Sequence, residues 1–149
     1  MEAGPAARPP EDGPSEPSGA LRRLGAPLVV AGVVAAATTW VGLVDPNRPG
    51  HYPVCPLYAL TGLYCPLCGG LRATHGLAHL DLADAWSHNP LWTVVAPLLV
   101  LAWADWAWRR WRGRPARRLP RPAVVTLVVV LVVFAVARNV PAWGPWLAP

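Results

Sequence analysis

The chain has 149 residues, 54% of them hydrophobic and only 14% charged, and its net charge of +5 rests on 13 arginines with no lysine. This balance excludes a wholly disordered chain and is too apolar for an ordinary soluble domain. Seven of the arginines fall between Arg109 and Arg121 with apolar runs on both sides, so the charge reads as a topological signal and not as a nucleic-acid surface.

Residues 1–20 hold five Pro, three Gly and four acids. They have too little apolar surface to offset the entropy of ordering, and are expected to form a disordered cytoplasmic tail. Leu24 to Val44 then supplies 21 residues without a charge. As a helix this run is about 31 Å long, against a hydrocarbon core of about 30 Å, and it reads as an uncleaved first span. A second span is expected over about 90–108, kinked near Pro97, with Asp105 paired to Arg109 at the interface. A third, over about 122–138, is short, and a snorkelling Arg138 would extend it. The Arg-rich loop 109–121 marks the cytoplasmic side. Residues 45–89 and the C-terminus then face outward, with the N-terminus inside, in a multi-pass protein of the plasma membrane. The nine Trp fall near the two interfaces of this frame. The fold class is thus an all-α integral membrane protein with three transmembrane helices and an extracytoplasmic amphipathic or reentrant helix. The bilayer is its first partner; three short spans leave few internal contacts, so a homo-oligomer or a membrane-protein partner is expected. No nucleic-acid partner is expected.

The outer segment 45–89 contains all three cysteines, in Cys55-Pro56-Leu57 and Cys65-Pro66-Leu67-Cys68. This half-repeat implies two turns, with Gly62 and Gly69 permitting unusual backbone angles, that bring Cys55 near the pair. Beyond Gly70 the pattern becomes helical to about His79, with Arg72, His75 and His79 near one face. Asp81 then resembles an N-cap with Asp84 in the first turn of a helix that continues through Trp86 and Asn89-Pro90 into the second span.

Cys55-Pro56, Leu60 to Tyr64, Cys65-Pro66-x-Cys68-Gly69-x-x-Arg72-Ala73, Asp81, Ala85 and Asn89-Pro90-Leu91 together resemble the bacterial membrane-protein family called domain of unknown function 2752. The likeness covers about forty residues, and Leu71 stands where many members have Thr. It implies a small multi-pass membrane protein in which Cys55, Cys65, Cys68, Arg72 and Asn89 matter, and it supplies no reaction. His75 and His79 lie outside that pattern.

Three readings of the sulfur follow. Cys65, Cys68, His75 and His79 offer two soft ligands and two imidazoles for tetrahedral zinc, with Cys55 able to replace one His. Alternatively, Cys65 and Cys68 exchange disulfides, with the helix N-terminus and Arg72 favouring thiolate. The favoured reading is a scaffold or interaction subunit in which Cys55, Cys65 and Cys68 staple a loop too rich in Pro and Gly to build a core. No catalytic constellation stands out beyond a redox use of the CxxC pair.

Overall fold

The computed structural model describes residues 17–147, and every regular element among them is a helix. Its elements are α1 (Pro17–Leu43), α2 (Pro56–Thr61), α3 (Gly70–Ala78), α4 (Leu82–His88), α5 (Pro90–Trp111), α6 (Arg121–Ala137) and α7 (Gly144–Leu147). The expected tail lies outside the described residues up to position 16. Its last four positions belong to α1, which opens on Pro17, a residue suited to a first helical turn where its missing N–H has no intrahelical partner.

Arg22–Leu43 and Pro90–Trp111 are each 22 residues of helix long and apolar enough to cross a membrane. At 1.5 Å per residue each spans about 33 Å. α6 is more apolar than either but has only 17 residues, about 26 Å, less than a hydrocarbon core of about 30 Å.

α1 and α5 pack together, and Pro27 shows how. A proline inside a helix cannot donate to the carbonyl four residues back, which here belongs to Arg23. That carbonyl accepts instead from Arg110 Nε at 2.9 Å, and the Pro27 carbonyl accepts from Trp103 Nε1 at 3.1 Å. The helix break is thus repaired from α5. One turn away Asp105 accepts from Arg109 Nε at 2.8 Å, the pair expected from their spacing.

At the other end α3 and α4 fold across the point where α1 stops and α5 starts. Ala73 and Ala85 are fully buried between them. Gly76 makes the approach feasible: a Cβ there would stand 2.8 Å from the Ala85 nitrogen and 3.0 Å from the Asp81 carbonyl oxygen. Asp81 caps α4 as expected, accepting from Asp84 N at 2.9 Å.

Two expectations are corrected. α4 does not run into α5, because Asn89 is extended, with φ −162° and ψ 94°. A residue preceding proline is pushed from the helical region by the Pro90 ring, and this outweighs the apolar continuity of the sequence. Arg138 does not snorkel. It is 1% exposed, turned inward from the C-terminus of α6 toward the cysteine loop. α6 itself buries no residue within its length and lacks extensive contact with α1 or α5; its firm attachments lie just past its end.

Candidate functional site

The site forms where two proline turns meet. Cys55 precedes α2, with Pro56 at the first helical position, and α2 closes on Gly62 in the left-handed region. The chain returns through Tyr64, whose ring stacks on Tyr58 with centroids 4.7 Å apart. Cys65 to Cys68 then make a tight turn in which Cys68 N donates to Cys65 O at 3.1 Å. Gly69, at φ 79°, carries the chain from that turn into α3.

These turns bring three free thiols together. Cys55 Sγ lies 3.6 Å from Cys65 Sγ, and Cys65 Sγ 3.3 Å from Cys68 Sγ. All three sulfurs lie within 4.8 Å of one another. Their environments differ. The backbone N–H of Tyr58 in the first turn of α2, with the Cys68 thiol second, brings the Cys55 thiol down to about 7. Burial first, then the neighbouring thiols, pushes Cys68 up to about 12.

Behind the sulfurs the loop offers its carbonyls to three side chains from distant elements. Asn89 Nδ2 donates to Pro66 O at 2.9 Å and Cys68 O at 3.0 Å, while its Oδ1 accepts from Trp92 N at 2.9 Å and caps α5. Arg138 Nη1 donates to Cys65 O at 2.8 Å and Cys68 O at 3.1 Å. Asn139 pairs with Tyr64 as a strand neighbour would, accepting from its N–H and donating to its carbonyl, each at 2.8 Å. The loop is therefore ordered by side-chain amides and a guanidinium, with no covalent bridge among the described residues. The need that made a staple attractive is met another way.

Arg138 is the unusual member. Its Nε and Nη2 are buried and have no hydrogen-bond partner among the described residues. The rings of Phe134 and Tyr64 face the cation at 5.0 and 5.8 Å, but an aromatic face does not replace an anion. The cation behind the sulfurs is thus Arg138, where the sequence pointed to Arg72. Arg72 instead lines an open cavity of about 780 Å³ in front of the sulfurs, with Arg48, Tyr52, Tyr58 and Tyr64.

The two histidines do not join the sulfurs. Helical spacing does pair them, with ring centroids 4.4 Å apart. His75 turns toward the end of α1, where the last carbonyls lack helical donors. His75 Nδ1 donates to Val41 O at 2.8 Å and its Nε2 lies 4.0 Å from Asp45 Oδ1, while His79 Nδ1 donates to His75 O. Of the expected ligands Cys65, Cys68, His75 and His79, with Cys55 as a substitute for one His, the group close enough to share an ion among the described residues is Cys55, Cys65 and Cys68. Periodicity shows which side chains share a face but not what that face meets.

Of the remaining motif positions, Pro66 presents its carbonyl to Asn89, and Gly69 makes the positive-φ turn. Asp81 caps α4, and Pro90 is buried at the first position of α5. Arg138 and Asn139 went unread as site residues. Their one signal was that Arg138 is the sole charge after Arg121, at the end of an apolar run where an ionised group is costly enough to imply a task.

Residues 55–103 match the family described as Protein of unknown function (DUF2752), in agreement with the resemblance carried by the cysteine motif. No curated protein and no solved structure matches the chain.

Proposed function

We propose that this is a multi-pass membrane protein that holds a thiophilic metal ion, zinc being the type case, on Cys55, Cys65 and Cys68 at the outer face of the membrane. α1, α5 and α6 are the spans, with the basic loop between α5 and α6 inside the cell. The observation that carries the metal reading is the triad of sulfurs backed by a buried guanidinium with two unused N–H groups. Zinc–sulfur bonds of about 2.3 Å place tetrahedral sulfurs about 3.8 Å apart, close to the spacings here. A divalent ion on three thiolates carries one net negative charge, and Arg138 brings the matching positive one. Its spare N–H groups suit metal-bound thiolate, a stronger acceptor than a neutral thiol. With three protein ligands the ion keeps a fourth position, as in zinc sites that act on or exchange a ligand.

The test is elemental analysis with mass mapping of thiols on full-length protein taken from its membrane without reductant or chelator. One metal per chain is expected, lost on changing any of the three cysteines to Ser and kept in the double variant His75→Ala, His79→Ala. Metal-free protein with Cys65 and Cys68 joined would overturn the reading.

Thiol–disulfide exchange is the second reading, supported by the chain of sulfurs through Cys65. The Cys55 thiolate would attack a partner's disulfide, expelling one partner thiolate. Cys65 would then attack the Cys55 sulfur of the mixed disulfide, releasing a reduced partner and leaving a Cys55–Cys65 disulfide. The scaffold or interaction role expected from the sequence is compatible with either chemistry, with the loop ordered by side-chain hydrogen bonds.

A further inference from the structure

The cavity in front of the sulfurs has an uneven charge lining: two guanidinium groups, Arg48 and Arg72, and no carboxylate. Arg48 is already turned toward Asp45, with Nε 3.8 Å from Oδ2. Arg72, on the first turn of α3 and partly shielded, makes no ion pair among the described residues. Arg138 cannot serve a ligand there, because its Nη1 is held by the loop carbonyls on the far side of the turn. The cavity volume of about 780 Å³ falls in the range of sites for small organic molecules, about 300–1,000 Å³.

We infer that this cavity binds a small thiol bearing a carboxylate, whose sulfur takes the fourth position on the metal and whose carboxylate pairs with Arg72. The inference rests on the metal reading above. An ion on three thiolates is a soft centre and selects sulfur over oxygen. A free amino-acid thiol with its sulfur deprotonated adds one net negative charge, which Arg72 balances as Arg138 balances the protein's own three thiolates. On binding, the ligand's thiol proton passes to solvent and a metal-bound water leaves; no electron moves. Tyr52, Tyr58 and Tyr64 line the same open cavity with aromatic surface on which the apolar part of a small ligand can pack.

The experiment uses full-length, zinc-loaded protein in nanodiscs of phosphatidylcholine, so that no anionic headgroup competes. Calorimetric titration compares L-cysteine with cysteamine, which lacks the carboxylate, and with alanine, which lacks the sulfur. Cysteine should bind one per chain and at least about tenfold more tightly than either analogue. Arg72→Gln should reduce cysteine to the level of cysteamine while zinc stays at one per chain, and Arg72→Lys should restore part of the difference. Equal affinity for cysteine and cysteamine, or an Arg72→Gln variant that still prefers cysteine, would overturn the inference. So would loss of cysteine binding in phosphatidylglycerol nanodiscs, which would give the Arg72 seat to a lipid headgroup. A protein that takes up no zinc in the first place marks failure of the metal reading instead, and elemental analysis of each sample tells the two failures apart.

Discussion

Arg110 and Arg138 do the same job at opposite ends of the molecule, and the difference between them shows what burial adds. Each donates to main-chain carbonyls of a distant segment. Arg110 repairs the gap that Pro27 opens in α1, and Arg138 gathers the carbonyls of the Cys65 to Cys68 turn. Arg110 is partly exposed and lies 5.8 Å from the Trp106 ring, so water can satisfy its remaining N–H groups. Arg138 has no such recourse. A buried cation without a counter-charge is destabilising by several kcal/mol, and the groups beside it that can turn anionic are the Cys65 and Cys68 thiols and the Tyr64 phenol. The first arginine belongs to the architecture, and the second turns architecture into a demand for chemistry.

This contrast can be broken most decisively at Arg138. Arg138→Gln should lower metal affinity by up to about 100-fold in a competition titration, because a group that supports metal ligands has been lost. Arg138→Lys should not restore it, since an ammonium cannot reproduce the planar fork. Undiminished affinity in Arg138→Gln would reduce it to a second Arg110. Asn89→Ala removes the α5 cap and two bonds to the loop, and should cost about 2 kcal/mol in reversible detergent unfolding. Asn89→Asp should recover only the capping share. Gly76→Ala should cost about 1–2 kcal/mol on the same assay, because the new methyl meets backbone.

A smaller effect concerns pH. With the Cys55 thiol near 7 and Cys68 near 12, alkylation of Cys55 in reduced, metal-free protein should rise about fivefold from pH 6 to 7 as its thiolate fraction grows. Cys68 should stay unlabelled throughout. Because the folded state depresses Cys55, its contribution to stability is present above the ordinary thiol value of 9.0 and is lost as the pH falls through about 7. Labelling that reaches Cys68 first would reverse the assignment of environments. Smallest of all, Arg110→Gln should change stability by less than about 1 kcal/mol, the expectation for a solvated partner.

Much of the cysteine loop was legible in the sequence because its devices are local. Two proline turns with glycines foretold the approach of Cys55 to Cys65 and Cys68, and Asp81 with Asp84 foretold a helix start. Asp105 and Arg109 declared their contact by spacing alone. What stayed hidden depends on contacts between distant segments. The bond from Arg138 to Cys65 joins residues 73 apart, and that from Asn139 to Tyr64 joins residues 75 apart. Nothing in the periodicity of α6 shows where its end will dock. The break at Asn89 was carried by Pro90, but an apolar run extending beyond it concealed the stop.

The same separation has a consequence for biosynthesis. The ribosome makes the three thiols well before it reaches Arg138 and Asn139, so two of the three side chains that hold the sulfur loop are synthesised long after it. Closure of that loop by all three clamps is thereby a report that translation has passed α6. A polypeptide interrupted earlier carries the same thiols without the guanidinium and the amide that hold their turn in the full chain.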